Sequence, residues 1–251
     1  MQFTLAMSKL WLILRSIYIW VTVLSVMIVL STISILFSLF DRSGTVYLFL
    51  ARLWCRLWLF FSGVRLIVIG KENVDPNGVY VVVSNHASYF DIPALLLGLP
   101  IKKVRIVAKE SLGKIPFFGW SMAMGDFILI KRGANRDALK SLYKAIEKIR
   151  QGKSVIIFAD GTRSFDGRIQ PFKRGAFLVA EKSGVPILPV TILGSYKIMR
   201  RGTALISPGS ITLVIDRAIP VESKSADELL TESFRVISEN HQKFVQQGID
   251  A

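Results

Sequence analysis

Two side chains five positions apart, His86 and Asp91, carry the clearest chemistry in this sequence. They fall in Asn85-His86-Ala87-Ser88-Tyr89-Phe90-Asp91, between an apolar run at residues 79–83 and a segment at 92–98 with proline near its start and glycine at its end. The run reads as a buried strand and the segment as a short helix, so both residues belong to a strand-to-helix turn. A carboxylate placed there can fold back and accept the Nδ1 hydrogen of the imidazole. That fixes the tautomer and leaves Nε2 as a base for a hydroxyl nucleophile. The spacing equally suits a loop histidine bonded to its own turn, with Asp91 capping the helix. Other stretches must separate the two readings.

Three do bear on it. Phe158-Ala159-Asp160-Gly161-Thr162-Arg163-Ser164 follows the apolar run 155–157. It reads as a tight turn that offers backbone N–H groups, a hydroxyl and a guanidinium together, a set suited to an oxyanion or phosphate. Gly125-Asp126-Phe127-Ile128-Leu129-Ile130-Lys131-Arg132 reads as a strand ending in two cations. Val185-Pro186-Ile187-Leu188-Pro189-Val190-Thr191-Ile192 has two prolines and no charge, which predicts an edge or wall strand. Sites in open α/β sheets gather at the carboxyl ends of strands, where His86 and the turn at 160–163 would both sit.

The elements that must hold these residues are short β-rich runs alternating with helical ones after Gly63. Strands are expected at 65–69, 79–84, 104–108, 126–131, 154–158, 186–192 and 211–215. Residues 136–150 keep helical spacing through Leu139, Leu142, Ile146 and Ile149, with Asn135 to cap and Gly152 to end the helix. A second helix is expected at 172–182, closed by Gly184. A third runs from 225 to about 246, opened by a capping box of Ser225 and Glu228. His241 falls on its apolar stripe with Leu230, Phe234, Ile237 and Phe244, so it reads as packed. The fold class that follows is α/β, a largely parallel sheet flanked by helices. No repeat, low-complexity tract or interdomain linker is visible.

Ahead of this domain lies a different texture. Residues 10–40 are apolar except for Arg15 and a few serines and threonines. As one helix they would reach roughly 45 Å, more than the roughly 30 Å of bilayer hydrocarbon. The run is too long for a cleaved signal peptide and no small-x-small site closes it. Residues 46–61 form a second apolar segment carrying Arg52 and Arg56 among Trp54, Trp58, Phe60 and Phe61. Two charges make a second full span expensive, and a helix lying in the interface is cheaper. The expectation is a two-helix membrane anchor at 1–62, its first helix spanning or dipping into one leaflet, and a catalytic domain at 63–251.

Composition agrees. The hydrophobic fraction is 51% and the mean hydropathy +0.46, too apolar for an ordinary soluble protein. The formal net charge is +14, and residues 102–201 alone carry as large an excess, so this middle region could face anionic headgroups, phosphorylated substrates, an acidic carrier or nucleic acid. The long apolar anchor weighs against nucleic acid. The single cysteine, Cys55, rules out an internal disulfide and a cysteine metal site.

Taken together, the four stretches resemble the ordered blocks of the glycerolipid acyltransferase family, in particular the 1-acylglycerol-3-phosphate acyltransferases. Asn85 to Asp91 matches the first block (His-x4-Asp), and Gly125 to Arg132 resembles the second. Phe158 to Ser164 is similar to the third, usually Phe-Pro-Glu-Gly-Thr-Arg-Ser, with Ala159-Asp160 in place of Pro-Glu. Val185 to Val190 resembles the fourth. The resemblance implies that His86, oriented by Asp91, takes the proton of a glycerol hydroxyl, which then attacks an acyl thioester without an acyl-enzyme, metal or cofactor. It implies that Asp160, Gly161, Thr162 and Arg163 bind the substrate, Arg163 holding its phosphate, with Arg132 and Lys109 as further cations. The partners implied are acyl-CoA or acyl carrier protein as donor, a lysophospholipid acceptor and membrane lipid, on the cytoplasmic side of the membrane. Acylation of a lyso-ornithine lipid or of glycerol-3-phosphate, or a silent protein that binds anionic lipid, are the alternatives. The intact His-x4-Asp weighs against the last.

Overall fold

The computed structural model describes residues 2–38, 40–41, 43–130 and 135–248. Seven strands form one sheet in the order β1-β7-β6-β2-β5-β3-β4. They are β1 (Val64–Ile69), β2 (Val81–Ser84), β3 (Val104–Lys109), β4 (Ile128–Ile130), β5 (Ser154–Phe158), β6 (Ile187–Leu193) and β7 (Gly209–Ile215). Every neighbouring pair is parallel except β6 with β7, so β1 and β7 run against the other five. β2 sits between β6 and β5, buried at all four positions. Such a strand needs apolar residues on both faces, which is why residues 81–83 are all valine.

Helices cover both faces. α1 (Gln2–Ser38), α2 (Thr45–Phe61), α3 (Asp91–Gly98), α4 (Phe118–Met124) and the short α7 (Ser195–Ile198) enclose one apolar layer with Val82, Ile156 and Leu188 of the sheet. α5 (Asn135–Arg150), α6 (Gly175–Ser183) and α8 (Ala226–Gln246) enclose the other with Val81, Val83, Val155 and Ile187. The alternation of side chains along each strand sorts neighbours into opposite layers. α8 opens with the expected capping box of Ser225 and Glu228. α6 starts three residues later than its pattern predicts, and ahead of it the Lys173 N–H donates to the Ala159 carbonyl.

The proline-containing strand departs from expectation. β6 is an interior strand, buried along its whole length. It tolerates Pro189 because the chain beside it bulges. Between the Ile187–Ile219 bridge and the Val190–Ile215 pair, β6 advances three residues while the partner advances four. A missing N–H is harmless at such a bulge.

The N-terminal pair also departs from a two-helix anchor whose second helix lies in the lipid interface. Among the described residues, α1 alone is long and apolar enough to cross a membrane. α2 shares the domain core through Cys55, Trp58 and Leu59. Its Trp54 and Trp58, expected at a lipid boundary, turn inward: Trp54 donates to the Val23 carbonyl of α1, and Trp58 packs against Phe90, ring centroids 4.9 Å apart and planes tilted by 48°. Arg52 also turns inward, donating to the Leu96 and Ile101 carbonyls at 3.0 and 2.6 Å. The turn between the two helices is tied to the sheet by Arg105, almost fully buried, which donates to the Ser43 carbonyl. Along α1, by contrast, Leu10, Trp11, Leu14, Ile17, Val21 and Ile28 are exposed on one long face.

Candidate active site

β2 ends at Ser84, and the turn that follows is built almost entirely from hydrogen bonds to buried groups. Asn85 extends the strand with its side chain: Nδ2 donates to the Ile192 carbonyl at 2.9 Å and Oδ1 accepts from the Ile192 N–H at 2.8 Å. An amide is the one side chain that can reproduce both halves of a peptide group. The next residue, His86, is thereby lifted out of the sheet, and its side chain is 12% exposed.

Asp91 begins α3 and is fully buried. It does not cap the helix. Its Oδ2 accepts from His86 Nδ1 at 2.6 Å, from the Ala87 N–H at 2.7 Å and from the Ser88 N–H at 2.8 Å. Three donors fix the carboxylate, and the carboxylate fixes the imidazole with its hydrogen on Nδ1 and its lone pair on Nε2. The ring also lies flat on Phe158, centroids 3.9 Å apart and planes 17° from parallel. Such a histidine is oriented from its edge and its face at once.

The turn after β5 meets this one through the backbone of His86. The His86 N–H donates to Asp160 Oδ2 at 3.0 Å, and the His86 carbonyl accepts from the Ser164 N–H at 2.8 Å. Asp160 was grouped by sequence with the substrate-binding residues, but its carboxylate is buried beneath the histidine, and its other oxygen meets no protein donor. Burial pushes the carboxyl up to about 7, with the His86 N–H opposing and the Asp91 charge adding to the rise. Gly161 adopts φ +68°, where a side chain would be strained and would press on Lys173. Thr162 and Arg163 are partly exposed at the same lip. The Arg163 guanidinium lies over the Tyr89 ring, Cζ 3.6 Å from its centroid. The site therefore brings together, on two turns that meet, an oriented imidazole and a guanidinium that lies over the ring three residues after it.

The remaining candidates are less central. Lys109 ends β3 with an exposed side chain, and among the described residues no hydrogen bond or ion pair joins it to the His86 turn. Lys131 and Arg132 lie outside the described residues. The front half of their stretch is structural. A Cβ on Gly125 would collide with the Tyr47 ring, and Asp126 at φ +66° pairs with Lys148 and Lys153. His241 is partly buried on α8, and burial lowers its basicity. Residues 195–203, which no motif marks, form a further wall: Ser88 Oγ donates to the Met199 carbonyl, Tyr196 Oη to the Phe165 carbonyl and Arg201 to the Arg163 carbonyl at 2.6 Å. Only the doublet Arg200-Arg201 hinted at this in the sequence. No group of three or more His, Cys, Asp or Glu among the described residues is arranged to hold a metal.

Residues 65–193 match a family model described as Acyltransferase. A chloroplastic 1-acyl-sn-glycerol-3-phosphate acyltransferase of Brassica napus is 35% identical over 80% of this chain and 58% of its own. A 1-acyl-sn-glycerol-3-phosphate acyltransferase of Pseudomonas aeruginosa is 34% identical over 71% of this chain and 70% of its own. The crystal structure of the 1-acyl-sn-glycerophosphate (LPA) acyltransferase PlsC from Thermotoga maritima superposes with a TM-score of 0.83 at 26% identity, covering 94% of this chain and 97% of that one. The chain spans about half the length of several plant and algal relatives (58%, 53% and 49% of the proteins from Brassica napus, Arabidopsis thaliana and Chlamydomonas reinhardtii).

Proposed function

The chain belongs to the acyltransferase family, and on that premise we propose that it transfers an acyl group from a thioester donor to the free sn-2 hydroxyl of 1-acylglycerol-3-phosphate, giving phosphatidic acid for phospholipid synthesis. The observation that carries this reading is the hydrogen bond from His86 Nδ1 to an Asp91 carboxylate that two backbone N–H groups hold in place. His86 Nε2 takes the hydroxyl proton as the acceptor oxygen attacks the thioester carbonyl. Asp91 stabilises the imidazolium. Collapse of the tetrahedral intermediate breaks the C–S bond, and the departing thiolate recovers the proton from Nε2. Arg163, with Gly161 and Thr162, holds the acceptor phosphate, with Lys109 and Arg132 as further cations for it. Asp160 supports the turn from beneath. The donor is acyl-CoA or acyl carrier protein, both anionic, as the basic middle of the chain favours.

In this reading residues 1–62 anchor the protein and 63–251 carry the chemistry, with α2 contributing to both. The exposed face of α1 lies in the lipid, and the basic domain faces the cytoplasm, as the tendency of cations to stay on that side implies. The test is an acyl-transfer assay on detergent-solubilised protein that crosses several lysolipid acceptors with both donors. Phosphatidic acid should form from 1-acylglycerol-3-phosphate. His86→Ala should lower the rate by about 10²–10⁴ while the protein stays folded. A His86→Ala protein that kept most of its activity would overturn the mechanism.

A further inference from the structure

Resting on the reading of Arg163 as the phosphate ligand, we propose that Tyr89 is its positioning residue: the ring sets the guanidinium at a fixed place beside the base and so governs affinity for phosphate-bearing acceptors. Tyr89 lies within the His-x4-Asp turn, three residues after His86 and two before Asp91. Its neighbours Ser88 and Phe90 are fully buried, while Tyr89 is 43% exposed. Ser88 Oγ is tied to the Met199 carbonyl and Phe90 is packed against Trp58. The backbone on both sides of Tyr89 is thus fixed by core contacts, and its own ring is left at the surface, under Arg163.

Arg163 is held in the complementary way. Its carbonyl accepts from Arg201, and the following N–H, that of Ser164, donates to the His86 carbonyl. The backbone is set, but the long side chain would otherwise be free to swing. Among the described residues no carboxylate forms an ion pair with it. Stacking uses one face of the guanidinium and leaves its in-plane N–H fork for a ligand, the geometry that suits a phosphate. Part of the ordering that binding demands is then already done. Because the ring and His86 share one short turn, the phosphate ligand and the base are held in register with each other.

The experiment is steady-state kinetics on the full-length protein in mixed micelles. The acceptors are 1-acylglycerol-3-phosphate and phosphate-free 1-acylglycerol; the variants are Tyr89→Phe, Tyr89→Leu, Tyr89→Met, Arg163→Ala and Tyr89→Leu with Arg163→Ala. Tyr89→Phe keeps the aromatic face and should behave as wild type. Tyr89→Leu and Tyr89→Met should raise KM for the phosphate-bearing acceptor by about tenfold, with kcat changed by less than about twofold and KM for the phosphate-free acceptor unmoved. With Arg163→Ala already present, Tyr89→Leu should add nothing. An unchanged KM in both aliphatic variants overturns the inference. So does a Phe variant as weak as Leu, or a Leu effect that persists without Arg163. If Arg163→Ala itself leaves KM for the phosphate-bearing acceptor unchanged, the phosphate reading fails, whatever Tyr89 does.

Discussion

At the scale of single residues, the buried carboxyl of Asp160 is held far from its free state. Burial raises it to about 7 from an ordinary 3.8. Between about pH 4 and 7 the folded protein therefore keeps a proton that the unfolded chain has lost. Unfolding releases that proton, so this group's contribution to stability falls as pH rises through the window, and the loss is complete above it. Asp160→Asn keeps an oxygen for the His86 N–H and removes the titration. Its melting temperature should exceed that of wild type at pH 8, and the gap should close as pH approaches 4; thermal melts across that range check it, and a gap independent of pH would refute the account. The His86–Asp91 pair was legible in the sequence because the two residues are near neighbours in the chain. The orientation of Asp160 and the pairing of Asn85 with Ile192 were not, since they join residues 74 and 107 positions apart. Only the sheet order brings those together.

At the scale of elements, hydrophobic periodicity located strands and helices well and said little about which face of each would turn inward. α2 is the instructive case. Its arginines and tryptophans suit a lipid boundary by composition, yet Arg52 sits partly buried against two carbonyls near the end of α3 while Arg56, four residues on, is exposed. Removing Arg52 leaves those carbonyls without a donor. Arg52→Leu should destabilise the fold by about 1–3 kcal/mol, against less than about 0.5 kcal/mol for Arg56→Leu. Melting temperatures of the two variants in the same detergent decide it, and equal shifts would show that the Arg52 contacts contribute nothing. The strand β6 teaches the same lesson from the other side: two prolines argue for an edge, yet Pro186 precedes the strand and a bulge in the neighbouring chain makes Pro189 acceptable in the interior.

At the scale of the whole molecule, hydropathy marked the N-terminal region as apolar, but the division between what stays exposed and what packs on the domain came only from packing. The exposed stripe of α1 is separable from the fold and α2 is not. Replacing Leu10, Leu14, Val21 and Ile28 with glutamine or lysine should release the protein from the membrane fraction, since each side chain withdrawn from lipid forfeits about 1.5–3 kcal/mol. The fold should survive, as circular dichroism of the soluble fraction will show. Deleting residues 1–62 should instead unfold it, because Phe90 and the buried face of α3 lose their cover. A well-folded deletion protein would refute this view. The reversal of β1 and β7 has one more outcome. It pairs the start of β1, where α2 ends, with the start of β7, beside the carboxyl end of β6 and hence the His86 turn. On the proposed reading, anchor and base thus share one edge of the sheet, and an enzyme held that way would meet its acceptor within a plane. Its rate should then follow the mole fraction of lysolipid in the bilayer: adding inert lipid should slow it, and adding water should not.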